Sequence, residues 1–561
     1  MRGKLLPMLA AAGLAAVWAA GRSEDAPSSA KLSKERQILH ALNRLTFGPQ
    51  PGDVERVGKL GLKKWIDQQL HPEKMGENPE LEEKLEQLES LNMAPGEMIE
   101  RYPPQFLIKQ YADGKIALPG DPQSRAVIER LVERYRQSKD KKQAEMRPVN
   151  LVAMTPEERR KTMQTTAPQQ AVTYDLWEGK LYGAIYSDRQ LAEVLDDFWF
   201  NHFNVFIDKG VERYMIGRYE REAIRPNVLG KFRELLEATA KSPAMLFYLD
   251  NWQSVGTYSV AGERARLNGK TRGLNENYGR ELLELHTLGV NGGYTQRDVI
   301  EVARCFSGWT IREPRLGGGF FYNDRMHDKN AKTVLGHRIK AGGGMNDGEE
   351  VLDILARQPA TARHISFELA QRFVADDPPA AVVERMSKTF LDKDGDIREV
   401  MRTMLEAPEF WSEGAYLAKM KTPLEMAVSA VRALDADVSD AFALSNRVAV
   451  LGEPLYRKAE PTGYSNAGAD WMNSAALLAR LNFAQALAQG KVRGIGVDTT
   501  RLAVDDNDPD KMAEALMLRA PGKQTRAAID QALADQNSAV PAERRQYLAG
   551  LVLGSPDFQK K

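Results

Sequence analysis

Two segments of the chain concentrate side chains that can hold or move a proton. In the first, 196–205, Asp197, Asn201 and Asn204 fall within one stripe at the ~100° per residue of a helix, opposite a broad aromatic face. The stripe either lines a cleft floored by aromatic rings or forms the solvent-exposed side of a core helix. His202 lies on the aromatic side, where a hydrogen-bonded core histidine is favoured over a ligand or a base.

The second segment, 273–290, carries Glu276, Arg280 and Glu284 as an i, i+4, i+8 ladder. One interpretation is a solvated helix face. The other is a buried network, in which Arg280 keeps one carboxylate ionised while a second has a raised pKa and acts as an acid. Asp197 would then supply the base, as paired carboxylates do in glycoside hydrolysis. This hypothesis requires the two polar faces to meet in one pocket.

A separate hypothesis is a metal-dependent enzyme that uses His202, His286, His327 and Asp328. An adjacent His-Asp pair can bind a metal or relay a proton, but the sequence has no HExxH motif and no His/Cys set with zinc spacing. A GxSxG elbow is also absent, and the glycine clusters lack the lysine and spacing of a phosphate loop. The sequence therefore identifies no cofactor.

The elements that must position these residues are predicted to be helices. Thr155-Pro-Glu-Glu158 and Thr422-Pro-Leu-Glu425 are capping boxes with proline at the first helical position, and alternating apolar and polar runs are scarce. The glycine-rich stretch 315–348 is the best place for a small β-hairpin or loop insertion. The predicted fold class is mainly α, a large multi-helix body with this glycine-rich interruption.

Residues 1–21 have the basic head, apolar run and small-residue end of a secretory signal peptide. The run is short for the roughly 20 residues of a spanning helix. We therefore expect a soluble protein exported to the bacterial periplasm or cell exterior, with no transmembrane anchor after cleavage; an uncleaved anchor is the alternative. Residues 22–33 are rich in Ser, Pro, Ala and charge and are predicted to be a flexible lead-in.

Composition narrows the class of protein. The 561 residues include 77 basic and 77 acidic side chains, which argues against a general nucleic-acid binder. An apolar fraction of 43% can fill a sizeable core, and the single cysteine cannot form an internal disulfide. Four sections are proposed after the lead-in: an N-terminal helical section, a charged insertion, a central helical body with the polar cluster, and a C-terminal helical section (34–120, 121–169, 170–416 and 417–561).

Several motifs together resemble the DUF1800 family, a bacterial domain of unknown function that is common in exported proteins. The specific block is 275–290, NENYGRELLELHTLGV; shorter matching pieces are ALNRLTFG, FWFNHF, KTPLE and PTGY at 41–48, 198–203, 421–425 and 461–464. The resemblance covers about residues 35–560. It implies a mostly helical exported protein and suggests a DUF1501-family protein as a partner, but it implies no settled catalytic chemistry.

Two functions follow as expectations. The first is a carboxylate-dependent hydrolase of an envelope or extracellular polymer such as a glycan. The second is a non-catalytic envelope or secretion factor that binds a partner protein.

Overall fold

The computed structural model describes residues 29–140, 150–269, 273–502, 504, 508–534 and 540–561. The predicted leader, 1–21, and most of the lead-in lie outside these residues. The described residues form 27 α-helices, here α1 to α27 in chain order. Their bounds are Lys34–Leu45, Asp53–Leu60, Leu62–Gln69, Pro79–Glu86, Pro95–Arg101, Gln105–Ala112, Pro122–Asp140, Pro156–Thr166, Pro168–Tyr186, Gln190–His202, Arg213–Arg218, Phe232–Ala240, Pro243–Tyr248, Val260–Leu267, Asn277–Glu284, Gln296–Phe306, Asn346–Ala356, Pro359–Phe373, Ala380–Asp392, Ile397–Glu406, Pro423–Ala433, Phe442–Val450, Ser474–Ala488, Pro509–Met517, Lys523–Ala534, Pro541–Leu553 and Pro556–Gln559.

Two helices, α8 and α21, begin at the capping boxes that the sequence predicts. Thr155 and Thr422 each accept a hydrogen bond from the backbone of the glutamate three residues on, and that glutamate bonds back to the threonine backbone. Both capping boxes are thereby confirmed, because two otherwise orphaned donors at each helix start are satisfied locally. The mainly α fold class is confirmed as well.

Strands are short and occur as antiparallel pairs. β1 (Trp309–Ile311) pairs with β2 (Phe320–Tyr322), and β3 (Lys332–Val334) pairs with β4 (His337–Ile339) across a two-residue turn. Leu335 and Gly336 in that turn have φ of 49° and 80°, the positive values of a tight hairpin connection. The glycine-rich stretch therefore contains the predicted hairpin. A third pair, β5 (Asp437–Val438) with β6 (Ile495–Gly496), lies in the C-terminal section.

The four proposed sections share one hydrophobic core, which extends from Ala41 to Phe558. The charged insertion is mostly helical, and its α7 packs Ile128, Leu131 and Val132 against Ile108 in a small separate cluster. Among the described residues, no helix has both the length and the apolar character needed to cross a membrane.

Candidate active site

A cleft of about 790 Å³ opens between α9, α10 and the segment that carries α4. Its volume falls in the range of small-molecule sites, roughly 300–1,000 Å³. Two glycines of α9 let the cleft walls approach the helix closely: a Cβ at Gly179 would lie 2.8 Å from Leu91 Cδ1, and one at Gly183 would lie 2.8 Å from Glu193 Oε2. Leu176 and Lys180 are the side chains of α9 that line the cleft.

A π-helical turn, Tyr219–Ile224, brings Glu220 to the floor of this cleft. The turn follows α11 directly and packs against α10 and α12. A π turn inserts one residue into the helical period and is found frequently at functional sites. The position of Glu220 at the cleft therefore depends on the π turn, a local irregularity of the backbone.

Glu220 forms a carboxyl pair with Asp196 of α10, which lies within hydrogen-bonding range behind it. The Tyr456 hydroxyl donates to Glu220 Oε2 at 2.6 Å, and Lys180 Nζ lies 3.2 Å from Oε1. Arg225 donates to Asp196 Oδ2 at 2.8 Å. Asp196 Oδ1 has no hydrogen-bond partner among the described residues, so it is the oxygen free to carry a proton.

The surroundings drive the pKa values of these two carboxyls in opposite directions. Burial raises the pKa of Asp196 well above its ordinary value, against the opposing charge of Arg225. Burial acts on Glu220 too, but the positive charges of Lys180 and Arg225 outweigh it and lower the pKa of that carboxyl. These shifts favour the neutral form of Asp196 and the ionised form of Glu220. Such separated carboxyls are the pattern of acid–base catalysis.

The charge network continues inward from Lys180 to a second, smaller cavity of about 40 Å³. Lys180 Nζ lies 3.3 Å from Asp197 Oδ1, and Arg372 Nη2 lies 3.2 Å from Asp197 Oδ2 and 2.9 Å from Glu425 Oε1. Lys561 pairs with the same Glu425 oxygen. At this volume the cavity has room for about two or three water molecules. Lys180 and Tyr456 line both cavities and so separate them.

Glu453 at the small cavity should make stability depend on pH. Burial and the nearby charge of Asp197 raise its pKa from 4.5 to about 7. The folded state therefore binds a proton more tightly than the unfolded state, and this stabilisation is lost as pH rises from about 4.5 to about 7. Over this pH interval, we expect the free energy of unfolding of the wild type to fall by up to about 3 kcal/mol more than that of Glu453→Gln.

Urea unfolding of the wild type and Glu453→Gln across this pH interval measures the effect. The comparison isolates Glu453 because the other buried groups are common to both proteins, among them Asp197, Arg372, Thr422, Arg480 and Tyr464 around it. Parallel pH curves for the two proteins would contradict the prediction.

The sequence-predicted residues of α10 divide between two places. Asp197 and Asn201 line the small cavity. Asn201 exchanges hydrogen bonds with the backbone of Tyr464, at 2.7 Å and 2.6 Å, so it ties two segments together. His202 is buried, with Nδ1 2.6 Å from Glu368 Oε2 and Nε2 3.2 Å from the His286 carbonyl oxygen. It is the hydrogen-bonded core histidine that the aromatic face favoured.

The structure does not bring the ladder of α15 to either cavity. Glu276 and Arg280 have side chains 37% and 40% exposed, and their charged atoms lie 3.4 Å apart. Glu284 accepts a hydrogen bond from the Tyr294 hydroxyl at 2.8 Å. The residues that line the two cavities include none of these three. The solvated interpretation of the ladder therefore fits the geometry, and the polar faces do not meet in a shared pocket.

His327 and Asp328, which were proposed as metal ligands, already contact charged side chains of the protein. His327 Nε2 lies 3.0 Å from Asp347 Oδ2, and the buried ammonium of Lys332 contacts that same oxygen and the Asp328 carbonyl. The Asp328 carboxylate accepts from Arg304 at 3.0 Å. Lys332 thus supplies the positive charge that a metal would bring. Among the described residues, no three His, Cys, Asp or Glu side chains are grouped so as to hold a metal ion.

Sequence reasoning missed the residues at the cleft floor. The π turn does not follow the regular repeat of an α-helix, so the pattern of residue types does not identify Glu220 as a site residue. One usable signal was Lys180, a lone cation flanked by Gly179 and Gly183 on an otherwise apolar stretch of α9. A charge that must be buried needs a partner, and small neighbours leave room for one.

A family model described as "Protein of unknown function (DUF1800)" matches residues 40–560. The chain belongs to the DUF1800 family. Comparisons of this DUF1800 protein with curated proteins and with solved structures find no match. The match contains the cleft floor from Lys180 to Tyr456, so the carboxyl pair lies within the family domain.

Proposed function

We propose that the protein is an exported, carboxylate-dependent hydrolase that acts on an envelope or extracellular polymer, with its chemistry in the 790 Å³ cleft. The observation that supports this most is geometric: Glu220 lies at the floor of a ligand-sized cleft, held by Lys180 and the Tyr456 hydroxyl. Behind it lies a second carboxyl, Asp196, whose pKa is raised by burial. Export rests on the leader-like sequence of residues 1–21.

Each residue at the floor has a role in this proposal. Glu220 accepts a proton from the attacking water and later returns it to the leaving group. Lys180 stands beside Glu220 and stabilises negative charge that develops on the substrate oxygen, while the Tyr456 hydroxyl donates to Glu220 and holds it in place. Asp196, kept neutral, is a positioning residue that shares its proton with Glu220, and Arg225 holds Asp196 from the other side.

These assignments differ from those drawn from the sequence. The acid–base roles move from Glu276, Glu284 and Asp197 to Glu220 and Asp196. Asp197 becomes a partner of Lys180, which it holds in place at 3.3 Å. A polymeric glycan remains one proposed substrate, since the cleft is open to solvent along one side.

Tyr456→Phe should lower the rate of hydrolysis about tenfold, because it removes one charge-assisted hydrogen bond to Glu220, worth roughly 1.5 kcal/mol. The measurement is product release from a panel of esters, amides and glycosidic polymers by the purified protein. The matched control is Tyr464→Phe, whose hydroxyl donates to the Pro454 carbonyl and lines only the small cavity. An equal loss in both variants would contradict the role of Tyr456.

The alternative function is a non-catalytic factor that binds a DUF1501-family protein. If the wild type releases no product from any substrate in the panel and co-purifies with such a protein from the cell envelope, this alternative replaces the hydrolase.

A further inference from the structure

The cleft has one wall of branched aliphatic side chains. Leu81 and Leu85 come from α4, and Leu91 comes from the 3₁₀ turn Glu89–Asn92 that follows it. Leu85 and Leu91 are half-buried in the cleft wall. Further aliphatic side chains continue this wall toward the floor: Leu176, Val228 and Leu229. A surface of this kind gains free energy by covering the apolar part of a ligand.

Four of the five cations that line the cleft are paired with carboxylates. Arg398 lies 3.2 Å from Glu73, and Arg189 lies 3.9 Å from Glu77. On the floor, Lys180 is paired with Glu220 and Arg225 with Glu193. The fifth cation, Arg221, donates to the Leu91 carbonyl oxygen. An anionic ligand would have to compete with these protein partners, so the cleft favours a neutral group.

The wall also lacks a platform for a sugar ring. Among the described residues that line the cleft, Tyr456 is the one aromatic side chain. Its ring packs edge-on against Phe200, with the centroids 5.0 Å apart, and its hydroxyl is bonded to Glu220. The ring is therefore 5% exposed and is not free to stack on a ligand.

We propose that the cleft binds a neutral aliphatic acyl chain along the leucine wall, and that the bond placed over Glu220 is the ester or amide that joins this chain to the rest of the substrate. This substrate class rests on the proposed hydrolase function. It selects an acylated envelope molecule over a bare glycan.

The chemistry balances with water as the only co-reactant. The water oxygen forms a bond to the acyl carbon while Glu220 takes one of its protons. The bond from the acyl carbon to the leaving oxygen or nitrogen then breaks, and the proton on Glu220 passes to that leaving atom. The products are the free acid and the alcohol or amine, and the carboxyl pair returns to its starting state.

Binding of n-alkyl β-glucosides from methyl to octyl, measured by isothermal titration calorimetry, tests the acyl-chain site without any turnover. We expect affinity to rise about three- to fourfold per methylene, the factor that corresponds to about 0.8 kcal/mol. Leu85→Ser should flatten this dependence. Leu391→Ser, at a leucine 43% exposed and absent from the cleft lining, is the matched control and should leave it unchanged.

Each outcome separates the two proposals. Equal affinity for the methyl and octyl glucosides, or an equal effect of the two leucine variants, would overturn the acyl-chain site. Chain-dependent binding supports it, and if acyl esters of the same lengths are then not hydrolysed, only the proposed hydrolase function fails. Hydrolysis of acetyl and octanoyl esters at the same rate, without chain-dependent binding, would support the hydrolase and reject the acyl-chain site.

Discussion

Glu220→Gln should reduce hydrolysis in the cleft by about 100- to 10,000-fold, the usual contribution of a positioned general base. The amide keeps the shape of the side chain but cannot accept a proton from water. The carboxyl pair also loses its negative member, so the proton of Asp196 can no longer be shared between two carboxyl groups. The measurement is the initial rate of product release from the best substrate of the panel, at several pH values.

Glu222→Gln is the matched control for this experiment. Glu222 belongs to the same π turn, but its side chain is 51% exposed and pairs with Arg218 on the surface. We expect the hydrolysis rate of Glu222→Gln to stay within twofold of the wild-type rate. If Glu220→Gln folds normally by circular dichroism and retains the wild-type rate, the catalytic assignment is wrong.

Arg372→Met should lower the free energy of unfolding by about 3 kcal/mol, because it removes one partner from a buried ionic network. The guanidinium is 6% exposed and bridges Asp197 and Glu425, which lie on α10 and α21. Each carboxylate keeps one cation, Lys180 or Lys561, but loses part of the charge that compensated its burial. Urea denaturation at neutral pH gives the difference.

The control for this loss is a surface pair of similar geometry. Arg36 and Glu413 lie 2.9 Å apart with side chains 54% and 33% exposed. We expect Arg36→Met to cost less than about 1 kcal/mol, as solvent-exposed pairs usually do. Equal losses from the two methionine variants would mean that the interior network does not contribute more than an ordinary surface contact.

Local signals predicted the architecture well because they act over a few residues. The capping boxes at Thr155 and Thr422 and the small hairpin expected within 315–348 depend on neighbours in the chain, and each is present. The same reasoning could not separate two polar stripes that look alike. The side chain of Asp197 on α10 is 15% exposed and contacts Lys180 and Arg372, whereas that of Glu276, at the N-cap of α15, is 37% exposed.

The decisive contacts of the site join residues that are far apart in the chain. Arg372 and Asp197 are 175 positions apart, and Tyr456 and Glu220 are 236 apart. No periodicity within a helix specifies such pairings. Glu220 was also difficult to predict because it lies within the π turn, where the helical register shifts. Burial and long-range pairing, rather than residue type, therefore define the candidate site.

The alternation of sign along the interior network has a consequence for the environments this protein can tolerate. From Glu220 through Lys180, Asp197 and Arg372 to Glu425, the side chains are at most 15% exposed, so dissolved ions have little access to the charged atoms. Mobile counter-ions screen such pairs far less than they screen a surface bridge. These ion pairs should therefore contribute nearly the same stability in dilute and in concentrated salt.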